Sequence, residues 1–175
     1  MNILKKYAPP IGLVAILVFI DQITKWLAVR HIAPVYPSTR PSDIHLIEGF
    51  LRLTYLENFG MAFGLAQGGR WIFLILTPIV LAALAYFYKT APKNKLGMVY
   101  RWMILVIFGG ALGNFIDRAF NEGGFVIDFI IFEFFPFVFN FADVFVVVGV
   151  IVFAIMTIFV IKDEPKNGLK FRKNK

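Results

Sequence analysis

Four long apolar segments constrain the fold of this sequence more than any other feature. They cover residues about 11–29, 71–88, 98–115 and 139–161. A helix needs ~20 mostly apolar residues to cross the hydrocarbon core of a bilayer, and each segment comes close to that length. The composition agrees, because 59% of the residues are hydrophobic and the mean hydropathy is +0.74. The sequence therefore predicts one integral membrane domain over residues 1–175, built as an all-α bundle of four transmembrane helices.

Two polar segments separate these spans and differ in their local patterns. In the first, residues 30–70, several prolines interrupt any helix. Residues 51–55 alternate between apolar and polar side chains, which predicts a short strand paired with residues 44–47. Residues 60–67 precede a pair of glycines and are interpreted as a short surface helix. The second segment, residues 116–138, is interpreted as a polar and aromatic loop and a candidate moving part.

The basic residues indicate how the chain is oriented in the membrane. Of the 18 lysines and arginines, twelve lie in the N-terminal segment, in residues 89–101 or in the tail, residues 162–175, and six lie on the other side. Because cytoplasmic segments of membrane proteins are enriched in positive charge, we expect both termini in the cytoplasm and both polar segments outside. The basic tail is interpreted as a cytoplasmic anchor and not as a nucleic-acid-binding patch.

Polar residues inside or beside the spans gather at one depth in this topology. Alternating directions bring the ends of the first and third spans and the start of the fourth to the outer interface. The residues concerned are Asp21, Lys25, Asn114, Asp117, Arg118, Asn140 and Asp143, with Asp128 in the adjoining loop. Asp21 and Lys25 are four residues apart, which predicts an ion pair along one helix. Asn140 and Asp143 are three apart and share a helix face.

Asp128 and Asp143 stand out because no cation lies next to either in the sequence. Charge among apolar residues costs free energy unless it is paired, neutralised or used. One interpretation is two carboxylates solvated at the interface. Another is a dyad in which one carboxyl keeps a proton while the other acts as a base, as metal-free peptide hydrolysis requires. A third is a small proton-coupled carrier that uses this pair, Asp21 and Asp117 as a relay.

Other catalytic groups are scarce. The sequence has no cysteine, which excludes disulfides, thiolate metal sites and a cysteine nucleophile. His31 and His45 lie in the first polar segment without metal-ligand spacing, and the serines, Ser38 and Ser42, lie far from a plausible base. We therefore expect neither a metal nor a cofactor, and carboxylates remain as the catalytic candidates.

Five ordered blocks extend over most of the chain, from about residue 11 to residue 160. They are Asp21–Lys25, Asn58–Gly64, Gly109–Arg118, Val126–Phe129 and Phe139–Asp143. One Asn-x-x-Asp pair would be weak evidence, but five blocks in this order are highly specific. They resemble the type II (lipoprotein) signal peptidases, an aspartic peptidase family.

The resemblance implies a fold of four transmembrane helices with a small extracytoplasmic β-cradle and a short surface helix. It implies an intramembrane aspartyl endopeptidase that removes the signal peptide from diacylglyceryl-modified prolipoproteins, just before the lipid-modified cysteine, by a dyad-activated water. The implied catalytic residues are Asp128 and Asp143. The positions that line or stabilise the site are Asn58, Gly60, Asn114, Arg118 and Asn140, and the supporting positions are Asp21, Lys25 and Asp117.

The expected partners are prolipoproteins and membrane lipid, without nucleic acid, and we expect a monomer in the bacterial cytoplasmic membrane with its active site near the extracytoplasmic face. The chain departs from the family pattern in two places. Val144 follows Asp143 where a small polar residue is frequent, and the segment 135–140 is about one residue longer than is common in the family. Both departures concern the substrate pocket and not the reaction. The small residues Gly109, Gly110 and Gly113 are expected to leave room for a substrate helix.

Overall fold

Four long helices and one small sheet make up the fold. The computed structural model describes residues 3–34, 43–60, 69–92 and 94–163. The helices are α1 (Ile3–His31), α2 (Arg70–Thr90), α3 (Lys95–Phe120) and α4 (Phe141–Asp163), and the strands are β1 (Ile44–Ile47), β2 (Leu51–Asn58), β3 (Val126–Phe132) and β4 (Val138–Phe139). All four helices are long and apolar enough to cross a membrane. The predicted fold class, a four-helix membrane bundle with a small sheet, is confirmed.

Two helices extend beyond the apolar segments. α1 already begins at Ile3, and α3 starts at Lys95, where the Asn94 side chain accepts a hydrogen bond of 2.7 Å from the Gly97 N–H. α3 also continues past its apolar segment to Phe120, because its polar residues there find partners inside the protein. Hydropathy marks where a helix enters lipid and not where the helix ends.

Some predictions fall on residues outside those that the structure describes. These are most of the predicted surface helix over 60–67, most of the basic tail over 162–175, and Ser38 and Ser42.

α3 is the central helix, and its glycines permit close contacts with its neighbours. Gly109 lies against Leu17 of α1, and Gly110 lies against the backbone of Ala142 in α4. A Cβ atom added at Gly113 would lie 2.5 Å from Asp21 Oδ2. Small residues allow such approaches between helices in lipid. The expectation that these glycines leave room for a substrate helix is therefore wrong, since the chain's own helices fill that space.

The sheet has the order β1-β2-β3-β4 with antiparallel neighbours. Ile44 lies opposite Leu53, which confirms the predicted pairing of residues 44–47 with 51–55. β3 is a central strand, and Leu56 of β2 lies opposite Asp128. The sheet therefore places Asp128 at a fixed register position beside the helix ends.

The interpretation of residues 116–138 as a loop around Asp128 is wrong, because α3 runs to Phe120 and β3 covers Val126–Phe132. Ile127 and Phe129 of β3 are buried against Ala28 of α1 and Ile32, which directly follows α1, and Asp128 is only 1% exposed. A strand that is buried on both faces lacks the alternation of apolar and polar residues by which half-buried strands are predicted. Asp128 therefore belongs to a packed strand.

Candidate active site

Two amide side chains hold the carboxylate of Asp128 on β3. Asn58, the last residue of β2, donates a hydrogen bond of 2.8 Å from Nδ2 to Asp128 Oδ2. Asn140 donates one of 2.6 Å from Nδ2 to Asp128 Oδ1. Both carboxylate oxygens are thus engaged, which satisfies a polar group that is otherwise buried.

Asp143 is positioned by the start of α4. Asn140 caps this helix, because its Oδ1 accepts a hydrogen bond of 2.9 Å from the Asp143 N–H. In return, the Asn140 N–H donates to Asp143 Oδ2 at 3.2 Å. This reciprocal pattern is a capping box, which lets a short sequence fix both side chains. A negative charge in the first turn also interacts favourably with the helix dipole.

Asparagines connect the two aspartates to each other. Asn114 of α3 donates a hydrogen bond of 2.8 Å from Nδ2 to Asp143 Oδ1, and its own Oδ1 accepts one of 3.0 Å from Asn140 Nδ2. Asn140, which is fully buried, therefore contacts Asp128, Asp143 and Asn114. The structure brings the predicted pair into one hydrogen-bonded network that β3, α3 and α4 build together.

The surroundings of Asp128 favour its protonated form. Burial, and secondly the negative charge of Asp143, raise the pKa of Asp128 to about 7, against the hydrogen bonds from Asn58 and Asn140 and the charge of Lys25. Desolvation penalises the ionised carboxylate, and a second carboxylate nearby adds repulsion. The carboxyl of Asp128 can therefore hold one proton of the pair near neutral pH.

Arg118 supplies a cation at the edge of the site. Its guanidinium lies 4.2 Å from the centroid of the Phe73 ring of α2, in a cation–π contact. It donates long hydrogen bonds of 3.4 Å to the carbonyl oxygens of Asn114 and Gly60. Within the described part of the chain, Arg118 forms no ion pair, so the N–H groups beyond these two long hydrogen bonds remain open to a further acceptor. Gly60 also donates its N–H to Asn58 Oδ1 at 3.0 Å.

The supporting residues form a second, adjoining cluster. The predicted ion pair of Asp21 and Lys25 is confirmed, with 2.8 Å between Lys25 Nζ and Asp21 Oδ2. Lys25 Nζ also lies 3.0 Å from Asp117 Oδ2 and donates to Asn114 Oδ1 at 3.0 Å. Asp117 is adjacent to Arg118 in the sequence, but its ion-pair partner is Lys25.

Two residues at the site were not predicted. Phe73 stacks on Arg118, and its position in an apolar span gave no indication of this contact. Gln22 contacts both Asp21 and Asp117, and only its place between Asp21 and Lys25 in the first block hinted at a role. The histidines lie apart from the network, with His45 Nδ1 3.3 Å from Glu133. Among the described residues, no group of three histidine, aspartate or glutamate side chains could hold a metal ion.

The sequence model of the family described as Signal peptidase (SPase) II matches residues 13–159. A lipoprotein signal peptidase from Caldanaerobacter subterraneus subsp. tengcongensis is 43% identical over 151 residues, which cover 85% of this chain and 95% of the relative. One from Clostridioides difficile is 37% identical over 148 residues, covering 84% of this chain and 93% of the relative.

Solved structures are similar in fold as well as in sequence. A bacterial membrane enzyme determined by the in meso method superposes with a TM-score of 0.77 at 32% identity, covering 93% of this chain and 95% of the other. A second such structure gives a TM-score of 0.71 at 31% identity, covering 90% and 95%. With a family model that matches most of its length and relatives that share both sequence and fold, this chain belongs to the signal peptidase II family of membrane proteases.

Proposed function

We propose that this protein is an intramembrane aspartyl endopeptidase that removes the signal peptide from diacylglyceryl-modified prolipoproteins, just before the lipid-modified cysteine. The relatives named lipoprotein signal peptidases support the substrate class. The observation that carries the mechanism is the network in which Asn140 contacts both Asp128 and Asp143. These two aspartates are the proposed catalytic residues.

The proposed reaction needs one proton shared by the two carboxyls. The ionised aspartate takes a proton from a water molecule, whose oxygen attacks the scissile carbonyl carbon. The protonated aspartate donates its proton to the carbonyl oxygen, which gives a tetrahedral diol. Collapse of the diol breaks the C–N bond while a carboxyl protonates the leaving amine. The raised pKa of Asp128, about 7, supports retention of that proton near neutral pH, and the titration belongs to the pair.

The other polar residues of the site have positioning and binding roles in this proposal. Asn58, Asn114 and Asn140 hold the carboxylates by their amide groups. Arg118 has donors for carbonyl oxygens of an extended substrate, and Gly60 connects it to Asn58. No cofactor or metal takes part in this scheme.

The location of the site suits a lipidated substrate. The lipid chains of such a substrate stay in the bilayer, so its scissile bond lies at the interface. The aspartates lie where the end of α3 and the start of α4 meet the sheet. The proposal puts this end of the bundle at the membrane interface. The proposed topology has both termini in the cytoplasm of a bacterial cell and this end facing outward, with the enzyme acting as a monomer.

A carrier that passes protons through a relay would place acidic groups across the depth of the membrane. Asp21, Asp117, Asp128 and Asp143 instead share one connected network at one end of the helices. This clustering favours the peptidase over the carrier.

The test is cleavage of a diacylglyceryl-modified prolipoprotein by the purified full chain in lipid. We expect Asp128→Asn and Asp143→Asn each to lose about a hundredfold to ten-thousandfold in turnover, because each removes a proton-transfer group. The control is Glu48→Gln, which neutralises an exposed carboxylate in the β1–β2 turn and should keep wild-type activity. Equal thermal midpoints would show that the variants are folded. Near-normal turnover in either aspartate variant would refute the proposal.

A further inference from the structure

Three charged side chains are buried beside the aspartate pair without a role in the proposed chemistry. Asp21, Lys25 and Asp117 are at most 3% exposed. The ammonium of Lys25 has three donors, and it contacts Asp21, Asp117 and Asn114 at 2.8 to 3.0 Å. Buried ions cost free energy to desolvate, so such a cluster needs close geometry and filled hydrogen bonds.

The two carboxylates of this cluster also bind the backbone next to each proposed catalytic aspartate. Asp21 Oδ1 accepts a hydrogen bond of 2.9 Å from the N–H of Ala142, which precedes Asp143. Asp117 Oδ2 accepts one of 3.1 Å from the N–H of Ile127, which precedes Asp128. The two carboxylates therefore anchor the start of α4 and the start of β3. Their separation sets the separation of these two backbone positions.

Gln22 bridges the two anchoring carboxylates. Its Nε2 donates hydrogen bonds of 3.1 Å to Asp21 Oδ2 and 2.9 Å to Asp117 Oδ1, and it also lies 3.3 Å from the Gly113 carbonyl oxygen. The reversed amide would place its oxygen against two carboxylates, so the surroundings dictate the orientation of the group. Gln22 thus ties α1 to α3 at the point where both carboxylates meet.

Gln22 is a neutral amide on the groove side of this cluster, so it can be substituted without removing a charge. Gln22 is half-buried and lines an apolar groove of about 790 Å³ between α1, α2 and α3. Val18, one turn earlier on α1, lines the same groove. Gln22 and Val18 therefore share their surroundings on the groove side, while the hydrogen bonds to the two carboxylates belong to Gln22.

We propose that Gln22 is a positioning residue of the active site. By bridging Asp21 and Asp117, its amide holds the backbone anchors at Ala142 and Ile127 and so sets the spacing between Asp143 and Asp128. The inference rests on the proposed function, because the spacing matters for a reaction that both aspartates share. Misplacement of reacting groups by about 1 Å can cost about a hundredfold in rate.

The test compares three variants of the full chain in lipid on a lipidated prolipoprotein. Gln22→Met removes the donor at similar length, Gln22→Glu keeps the shape but replaces the donor with an acceptor, and Val18→Met is the matched control. Per folded molecule, we expect both Gln22 variants to lose about tenfold to a hundredfold in kcat with KM nearly unchanged. Val18→Met should stay within about twofold of wild type.

A role in packing alone predicts a different pattern, with Gln22→Glu close to wild type. Wild-type kcat in the Gln22 variants, or a loss confined to KM, would overturn the inference. A second readout is independent of turnover: amide hydrogen exchange at Ile127 and Ala142 should accelerate in Gln22→Met but not in Val18→Met, and unchanged exchange would also overturn it. If the wild type itself fails to cleave, the proposed function fails, and the exchange experiment still decides the role of Gln22.

Discussion

Asparagine side chains hold the two carboxylates at the residue scale. Asn58, Asn114 and Asn140 come from β2, α3 and the start of α4, and each donates an amide N–H to Asp128 or Asp143. An amide donor stabilises the ionised carboxylate, whereas burial opposes ionisation. The balance at Asp128 favours the proton, since burial raises its pKa to about 7 despite two amide donors.

This balance gives the proposed enzyme a testable pH dependence. Below about pH 7 the pair of Asp128 and Asp143 keeps its shared proton, and above it that proton is lost, so kcat/KM should fall on the alkaline side. Asn58→Ala removes a donor that lowers this pKa, so the alkaline limb should move upward by about one pH unit. Initial rates of the wild type and of Asn58→Ala, measured from about pH 5 to about pH 9 on either side of the pKa of about 7, would show this shift of the alkaline limb. A downward shift, or none, would contradict the assignment of this limb to the proton shared by Asp128 and Asp143.

Glycines determine how closely the helices pack at the scale of elements. α3 lies against α1 at Gly109 and Gly113 and against α4 at Gly110. At Gly110 a Cβ would meet the Ala142 carbonyl oxygen and Val146, and backbone atoms cannot move aside as a flexible side chain can. The contact lies one residue from Asp143, so packing at this glycine also places a proposed catalytic group.

Gly110→Ala should therefore destabilise the protein, by about 1–3 kcal/mol, because the added methyl overpacks a rigid contact. The measurement is the thermal midpoint in detergent, together with cleavage activity. Gly12→Ala is the matched control, since a Cβ at Gly12 of α1 has nothing within 4 Å. A lowered midpoint in the Gly110 variant alone is expected. Equal midpoints for both variants would show that the contact tolerates a methyl group.

At the scale of the whole molecule, the antiparallel course of the helices collects the polar residues at one end. The C-terminal parts of α1 and α3 and the start of α4 meet there, and the sheet adds Asp128 from β3. Polar groups in the membrane are costly, and here they are concentrated where they can satisfy one another. The opposite end carries the short turn between α2 and α3, where Arg101 donates to the carbonyl oxygens of Tyr88 and Ala91.

The proposed orientation can be measured directly, because the sequence contains no cysteine. Glu48→Cys places a thiol on the exposed β1–β2 turn, and Lys95→Cys places one at the start of α3. In spheroplasts, a membrane-impermeant maleimide should label the first variant directly and the second only after permeabilisation, because the positive-inside rule places the α2–α3 turn in the cytoplasm. The reverse labelling pattern would show that the orientation in the membrane is opposite to the proposed one.

The sequence by itself determined the parts of this protein that rest on local pattern. Four apolar segments predicted the helical bundle, alternation at residues 51–55 predicted the β1–β2 pair, and the spacing of Asp21 and Lys25 predicted their ion pair. The family blocks then selected the residues of the candidate site. These features are local because helix and strand periods act over a few residues.

Only the tertiary structure decided how the distant parts meet. It placed Asp128 on a buried central strand, joined it to Asp143 through Asn140, and paired Asp117 with Lys25. It also filled the space beside Gly110 and Gly113 with α4 and α1 and tied Gln22 to two carboxylates. Each of these contacts joins residues on different elements, and local sequence pattern cannot specify which buried polar groups will satisfy one another.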